Sequence, residues 1–255
     1  MSVDTKRVGN VEIITINRPE ARNAIDGPTS TAIGEALDAI ENDDDVWVVV
    51  LTGAGDKAFC AGMDLKAFAS GQVGEIVGAK GGFANIATRD FPKPIIAAIN
   101  GAAFAGGCEI MLSCDLVVAS EHATFGIPEV KRGLIAGGGG LIRLPRRLPL
   151  SVALELALTG DPIDATRAYN LGLVNKVVPH EQLMEAALEL AQKIAENAPL
   201  AVRASKKVMY GSLGKDEKEG WAISNEAFGK IFASPDAMEG AIAFAEKRKP
   251  NWALH

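Results

Sequence analysis

The chain has 255 residues, of which 48% are hydrophobic and 23% charged, a balance typical of a globular protein with a sizeable core. Its formal net charge is −6, and its three cysteines have no Cys-x-x-Cys spacing. This composition argues against a nucleic-acid-binding protein, a membrane-surface protein and a disulfide framework. It leaves room for an anionic ligand, since a few local Lys or Arg side chains and helix N-termini suffice for one.

The cysteines and the N-terminal segment also indicate a compartment. Cys60, Cys108 and Cys114 are expected to be reduced thiols, and MSVDTKRVGNVEI lacks the apolar stretch of a secretory signal. No apolar run approaches the ~20 residues that a membrane-spanning helix needs. The three histidines are scattered, so we expect no metal site. Together these features predict a cytoplasmic protein.

The first half of the chain alternates apolar runs with one clear amphipathic segment. Ile33, Leu37 and Ile40 are spaced as on one face of a helix, and WVVVLT is typical of a strand buried on both faces. In chain order, the predicted elements are a strand over 11–17, a helix over 28–41, a strand over 47–52, an irregular and mobile segment over 66–90, a strand over 95–99, a helix over 109–114 and strands over 116–119 and 123–125.

The second half is predicted to be mostly helical. Pro128 suits the first turn of a helix that carries Glu129, and Asp164 and Gly172 are a start and a stop signal for another helix. The other predicted elements are helices over 141–148 and 151–158, a strand over 173–178 and helices over 181–197, 199–211, 217–232 and 235–247. The pattern favours an α/β core of repeated β-β-α or β-α units, followed by a helical C-terminal portion.

One motif suggests a dinucleotide-binding site, but its surroundings argue against it. Gly53, Gly55 and Ala58 match the Gly-x-Gly-x-x-Gly/Ala fingerprint after a strand. The fingerprint should open a helix, whereas FCAGMD follows here, and no strand ending in an acidic residue lies about twenty residues further on. The glycine run 137–140 lacks the Lys-Ser/Thr of a phosphate-binding loop.

A glutamate placed just after a glycine pair points to acid–base chemistry. Glu109 follows Gly106 by one helical turn, where backbone N–H groups and the positive end of the helix dipole can bind a developing oxyanion. Glu129, at the start of another helix, supplies a second carboxylate for an acid–base pair. Taken alone, each feature also has a structural interpretation: a turn with close packing, a salt-bridged Glu109 and an ordinary first-turn Glu129.

Five longer segments of the chain are informative as a set: AFCAGMDL, KPIIAAINGAAFAGGCEIMLSCDLVVAS, ATFGIPEVKRGL, LTGDPIDATRAYNLGLVNKVV and AFAEKRKPNW. Together they resemble the crotonase superfamily, and in particular its enoyl-CoA hydratases and carnitinyl-CoA dehydratases. The resemblance covers essentially the whole chain. It implies a spiral of β-β-α turns over 1–197 that carries the acyl-CoA site, and a helical C-terminal region over 198–255. That region is implied to cover the CoA site and to support homotrimers or hexamers built as dimers of trimers.

The resemblance also implies roles for individual residues. The N–H groups of Met63 and Gly106 correspond to the oxyanion hole for the thioester carbonyl, and Glu109 and Glu129 correspond to the two catalytic glutamates. The implied substrate and CoA contacts are Arg22, Ala24, Lys57, Ala58, Ala61, Gly62, Asp64, Leu65, Phe244 and Lys247. No metal or redox cofactor is implied, because coenzyme A enters as part of the substrate.

The reaction implied is the reversible addition of water to a 2-enoyl-CoA, as in fatty-acid β-oxidation, which gives a 3-hydroxyacyl-CoA. Ile127 stands where many hydratases have Gln and Ala136 where proline is usual, so acyl specificity stays open. The alternatives are another crotonase reaction, namely enoyl-CoA isomerisation or carnitinyl-CoA dehydration, and a non-catalytic acyl-CoA-binding protein. Because many isomerases keep only the glutamate that matches Glu129, the presence of both glutamates favours a hydratase.

Overall fold

The computed structural model describes residues 1–71, 73–78 and 80–253. The strands are β1 Val3–Val8, β2 Val11–Ile16, β3 Val48–Gly53, β4 Ala58–Cys60, β5 Val77–Gly78, β6 Gly82–Phe83, β7 Ile95–Ile99, β8 Ala102–Phe104, β9 Leu116–Ser120, β10 Thr124–Gly126, β11 Ile163–Asp164 and β12 Lys176–Val178. The α-helices are α1 Gly27–Glu41, α2 Leu65–Ala69, α3 Val73–Ile76, α4 Gly106–Ser113, α5 Gly140–Arg147, α6 Leu150–Thr159, α7 Ala165–Asn170, α8 Leu183–Ala195, α9 Pro199–Ser212, α10 Glu217–Phe232 and α11 Pro235–Glu246. Short 3-10 helices cover Pro19–Ala21, Pro128–Arg132 and His180–Gln182.

The main sheet has six strands in the order β1-β2-β3-β7-β9-β12, and only the β1–β2 pair is antiparallel. Successive side chains of a strand point to opposite faces. In β3, Val48 and Val50 pack with α8, while Val49 and Leu51 join the larger core that contains α1. Helices therefore cover both faces of the sheet, which explains the continuous apolar runs of its central strands.

A second, four-stranded sheet lies beside the first in the order β11-β10-β8-β4, with β4, β8 and β10 parallel to one another. Each of these three short strands follows a long strand of the main sheet: β4 follows β3, β8 follows β7 and β10 follows β9. The chain therefore repeats a β-β-α turn, as the sequence predicts. The ends of the short strands bring the loops after residues 60, 104 and 126 to one side of the molecule.

The structure corrects several predicted elements. β1 and β8 were not predicted, because β1 is a largely polar edge strand and β8 has only three residues. Segment 66–90 is not wholly irregular, since it contains α3 and the paired strands β5 and β6. The strand predicted over 173–178 begins at Lys176, and the helix predicted at Pro128 is a 3-10 helix.

The C-terminal helices leave much apolar surface uncovered in the single chain. None of the residues of α10 is buried, and its Trp221, Phe228 and Phe232 are exposed. Lys206 of α9 ties these helices to the core, because its Nζ contacts Asp115 Oδ2 at 2.7 Å and the Lys93 carbonyl at 2.9 Å. No helix among the described residues is long and apolar enough to cross a membrane.

Two buried asparagines fix the turn between β3 and β4. Asn23 Nδ2 donates to the carbonyls of Ala54 and Ala58 at 2.9 and 2.8 Å. Asn100 Nδ2 donates to the Gly55 and Ala58 carbonyls at 2.7 and 3.2 Å. The carbonyl of buried Ala58 accepts from both amide groups, which replace water as its hydrogen-bond partners, and the other two bonds hold the partly exposed part of the turn.

We predict that Asn23→Asp lowers the free energy of unfolding by roughly 2–4 kcal/mol, because a carboxylate cannot donate to the two carbonyls and is itself desolvated. The measurement is urea unfolding at pH 7.5 and fixed protein concentration. Asn170→Asp, at an exposed position, is the control and should leave the midpoint nearly unchanged. Equal midpoints for the two variants would contradict the role assigned to Asn23.

Candidate active site

The start of α4 packs against the strand β4. A Cβ added to Gly107 would lie 1.9 Å from the Cys60 carbonyl oxygen, and one added to Gly106 would lie 2.4 Å from the Phe83 ring. The preceding residue, Ala105, has φ +50° and donates its N–H to the Gly126 carbonyl at 2.9 Å. The glycine pair is therefore needed for close packing, and it fixes the first turn of α4 to both neighbouring strands.

The loop after β4 meets the same turn of α4. Gly62 has φ +96°, and a Cβ on it would lie 2.9 Å from the backbone nitrogen of Gly106. The loop is held in place by backbone hydrogen bonds from Ile25 N–H to the Gly62 carbonyl and from Asp64 N–H to the Ile25 carbonyl, both 2.8 Å. Within the described residues, the N–H groups of Met63 and Gly106 donate no hydrogen bond. Two free backbone donors thus lie on adjacent loops.

The carboxylate of Glu109 lies in a shell of backbone. The residue is 4% exposed, and its Oε1 accepts a hydrogen bond of 2.9 Å from Gly140 N–H. Burial raises the pKa of Glu109, while the N–H groups of Gly140 and Gly138 and the charge of Arg143 oppose this shift. Among the described residues, Glu109 forms no salt bridge. An ion pair therefore does not explain why a glutamate is buried at this position.

Glu129 lies on the 3-10 helix Pro128–Arg132, close enough to Glu109 for the two charges to interact. Its Oε2 is buried and has no hydrogen-bond partner among the described residues. Burial, with a contribution from the charge of Glu109, raises the pKa of Glu129 to about 7. Near pH 7 Glu129 therefore exchanges readily between its neutral and its ionised form.

The glycine run 137–140, which does not match a phosphate-binding loop, forms part of the site and was not predicted to do so. A Cβ on Gly138 would lie 2.7 Å from Glu109 Oε2, and one on Gly140 would lie 3.2 Å from Oε1. Phe83, from the segment predicted to be irregular, packs beside Gly106 and Gly138. The run of glycines before a helix was the available signal, since such a position offers free N–H groups.

A separate cavity of about 320 Å³ collects several of the predicted CoA contacts. Its lining residues are Arg22, Lys57, Ala58, Ala61, Ala102 and Phe104. Ala102 and Phe104 belong to β8 and were not predicted. Four apolar side chains and two cations lining one cavity suit an elongated molecule with phosphate groups.

The remaining predicted CoA contacts do not line this cavity. Asp64 caps α2 and pairs with Arg18 at 3.1 Å, Ala24 is buried, and Leu65 is exposed. Phe244 and Lys247 lie at the end of α11, which contacts α10, and Phe244 is 87% exposed. Within one chain, the structure does not bring these last two residues to the cavity.

The three cysteines play no visible part in the site. All three are buried and form no disulfide within the described residues. Burial raises the pKa of Cys60, Cys108 and Cys114 to about 12, so they are thiols at neutral pH.

The chain is similar to known proteins along almost its whole length. Residues 6–254 match the Enoyl-CoA hydratase/isomerase family. A carnitinyl-CoA dehydratase of Proteus mirabilis (strain HI4320) is 41% identical over 249 residues, which cover 96% of this chain and 95% of that protein.

Solved structures give the same result. An enoyl-CoA hydratase from Mycobacterium tuberculosis H37Rv matches with a TM-score of 0.96 and 47% identity, over 100% of this chain and 99% of that chain. A carnitinyl-CoA hydratase from Mycobacterium avium matches with a TM-score of 0.80 and 50% identity, over 100% and 99%. These likenesses confirm the predicted crotonase-type α/β fold with C-terminal helices, and the chain belongs to the enoyl-CoA hydratase/isomerase family, that is, to the crotonases.

Proposed function

We propose that this protein is an enoyl-CoA hydratase-type lyase that adds water reversibly to a 2-enoyl-CoA. The observation that carries the proposal is the pair Glu109 and Glu129, two largely buried carboxyl groups whose charges interact and which lie on elements adjoining two free backbone donors. Such a pair suits a reaction that removes a proton from water and delivers one to carbon. A protein that only binds acyl-CoA has no use for it.

The thioester carbonyl oxygen of the substrate is proposed to lie between the N–H groups of Met63 and Gly106. Attack on C3 sends the electrons of the C2–C3 double bond toward this oxygen, which becomes enolate-like. Two preorganised donors stabilise that charge, and a single donor of this kind is worth roughly 3 kcal/mol in other enzymes. Because both donors belong to the backbone, the side chain of Met63 is free to shape the acyl pocket.

The two glutamates are proposed to divide the proton transfers. Ionised Glu109 takes a proton from water as the water oxygen bonds to C3, and neutral Glu129 gives its proton to C2. The carbon–carbon double bond becomes a single bond, and the pair again holds one proton. Dehydration follows the same steps in reverse. The chemistry moves only protons, and coenzyme A enters as part of the substrate.

A second candidate is dehydration of carnitinyl-CoA. It is favoured by the names of similar proteins, a carnitinyl-CoA dehydratase at 41% identity and a carnitinyl-CoA hydratase at 50% identity. The two candidates share the proposed site and differ in the acyl group. Ile127 and Ala136, both buried, are the positions where this chain departs from the commoner pattern.

We also propose that the protein is a cytoplasmic homotrimer or hexamer, in which the helices over 198–255 assemble the subunits. The exposed aromatic side chains of α10 support assembly, since contiguous apolar surface marks an interface. Phe244 and Lys247 are proposed to reach the CoA of a neighbouring subunit, because within their own chain they do not line the cavity.

We predict that purified protein removes the conjugated enoyl-thioester absorbance of crotonyl-CoA and that Glu109→Gln and Glu129→Gln each lower kcat by about 10²–10⁴-fold. The exposed Glu121→Gln is the matched control and should keep full activity. Carnitinyl-CoA is assayed in parallel for a gain of the same absorbance. Turnover of carnitinyl-CoA alone would select the second candidate. Binding of both esters without turnover of either would leave a binding protein and overturn the proposal.

We predict that kcat/KM for hydration falls about tenfold per pH unit above pH 7, because Glu129, with its pKa raised to about 7, then loses the proton that C2 requires. The addition of water releases no net proton, so the equilibrium constant of the reaction is independent of pH. Because this constant is the ratio of the two kcat/KM values, kcat/KM for dehydration must fall above pH 7 in the same way. Rates measured from pH 6 to 9 test this. The residual kcat/KM of Glu129→Gln should not fall above pH 7. A wild-type kcat/KM that stays constant to pH 9 would refute the role of Glu129 as proton donor to C2.

We predict that Gly138→Ala lowers kcat by about 10–100-fold, because the new methyl group would lie 2.7 Å from Glu109 Oε2 and displace the carboxylate. The neighbouring Gly137→Ala is the control, since its Cβ would meet nothing closer than the Ile135 carbonyl at 3.9 Å. Steady-state rates with crotonyl-CoA are compared after melting curves show that both variants fold. Equal rates would mean that the glycine run does not position Glu109.

A further inference from the structure

A second, larger cavity lies at the C-terminal end of α4, whereas the glycine pair begins that helix. Its volume is about 870 Å³, in the range of small-molecule sites. Its walls come from α5, α9, the end of α4 and residues 86–92. It shares no lining residue with the cavity at Arg22 and Lys57 that is proposed for CoA. The proposed function gives it no role.

Positive charge dominates the walls of this cavity, with seven basic and three acidic side chains. Two of the acids are already engaged, because Glu41 pairs with Arg89 and Asp115 pairs with Lys206. The basic side chains that form no ion pair with any described residue are Arg143, Arg146, Arg147, Arg203 and Lys207. The chain as a whole has a net charge of −6, yet five basic side chains without an ion-pair partner among the described residues line this one cavity.

The spacing of these cations works against the stability of the free protein. Arg143 and Arg147 lie four residues apart on α5, and Arg203 and Lys207 lie four apart on α9, so each pair shares a helix face. Like charges at this spacing repel, whereas a surface selected only for solubility mixes signs. Burial, together with the charge of Arg147, lowers the pKa of Arg143. A bound anion would relieve the repulsion on both walls.

Arg203 carries the clearest sign of a missing partner. Its Nε and Nη2 are buried and have no hydrogen-bond partner within the described residues. Burial lowers the pKa of Arg203, and Asp44, whose charge opposes this, forms no ion pair with it. Two guanidinium nitrogens held out of water without an acceptor have a desolvation cost. The cost is expected where a ligand supplies the compensating charge.

We propose that this basic cavity binds an anion that carries two or more linked phosphate groups. Guanidinium groups match phosphate oxygens in a two-pronged geometry, and several of them in one cavity suit a multiply charged anion better than a single carboxylate. The cations stand on two facing helices, so a diphosphate can contact both walls. The ligand source is either a free polyphosphate or the phosphate chain of a nucleotide.

The cavity is coupled to Glu109 through Arg143, and this part of the inference rests on the proposed function. Arg143 Nη1 donates to the carbonyl of Gly138 at 3.4 Å, and Gly138 lies against the Glu109 carboxylate. The positive charge of Arg143 helps to keep Glu109 ionised. An anion bound to Arg143 offsets that charge, so it should lower kcat without competing with the acyl-CoA substrate.

The test of binding is isothermal titration calorimetry of the full-length protein with inorganic diphosphate, ATP and coenzyme A at pH 7.5 and low ionic strength. We expect one saturable diphosphate site per chain, weakened at least tenfold in the double variant Arg146→Gln/Lys207→Gln, whose two positions are exposed in the single chain. Melting curves and size-exclusion chromatography show whether the variant keeps the fold and assembly of the wild type. The matched control Lys6→Gln/Lys193→Gln removes the same charge from exposed sites elsewhere. It should bind within twofold of the wild type.

The relative affinities of ATP and diphosphate distinguish the two possible sources of the ligand. Tighter binding of ATP than of diphosphate, lost in the double variant, identifies a nucleotide as the ligand, and equal binding identifies the phosphates alone. No saturable binding, or equal loss in the double variant and its control, overturns the site. Binding that Lys57→Gln abolishes and the double variant keeps also overturns it, since the anion then occupies the other cavity.

The coupling is measured separately from binding, with kcat for crotonyl-CoA at saturating diphosphate. We expect kcat to fall several-fold in the wild type, KM to stay constant and the double variant to be unaffected. A constant kcat despite saturation would overturn the coupling. Because calorimetry needs no turnover, failure of the proposed hydratase activity would leave the binding result intact.

Discussion

The burial of the Glu109 carboxylate is the constraint on which the rest of the site depends. Glu109 is almost unexposed on a helix with no other charged residue, where an ionised group has a large desolvation cost. Its partners are backbone N–H groups, which have to come within hydrogen-bond distance. Only residues without a Cβ allow the chain to approach so closely. The glycines around Glu109 are therefore a consequence of its burial.

The same need for contact explains how the short sheet and the site are joined. The loops after β4, β8 and β10 each carry one component: a donor beside Gly62, the start of α4, and Glu129. A hydrogen bond from Ala105 to Gly126 and the contact of Gly107 with Cys60 connect them directly. The components cannot drift apart without breaking strand pairing, so the stability of the sheet sets the precision of the site.

The sequence predicts those elements whose pattern lies in neighbouring residues, and it does not predict contacts between distant residues. The strands β3 and β7 and the helix α1 were predicted because burial makes their apolar patterns strong. β1 lacks such a pattern, since it is an exposed edge, and its pairing with β2 appears only in three dimensions. Glu109 stands out as a charge in an apolar run, yet Gly140, which binds it, is 31 residues away. Spacing along the chain carries no information about such a contact, and the family resemblance had to supply the pairing of Met63 with Gly106.

The contact between Gly62 and the nitrogen of Gly106 has a consequence for how such a protein diversifies. Both donors that we propose for the thioester carbonyl are main-chain atoms on loops too close for any side chain to intervene, so point mutation has almost nothing to vary there. The acids, by contrast, are ordinary side chains and can be replaced singly. Descent from a common ancestor would then preserve the anchoring of the thioester while the chemistry performed on it changes, and an engineer who wants a new reaction should begin with residues 109 and 129 and leave the anchor alone.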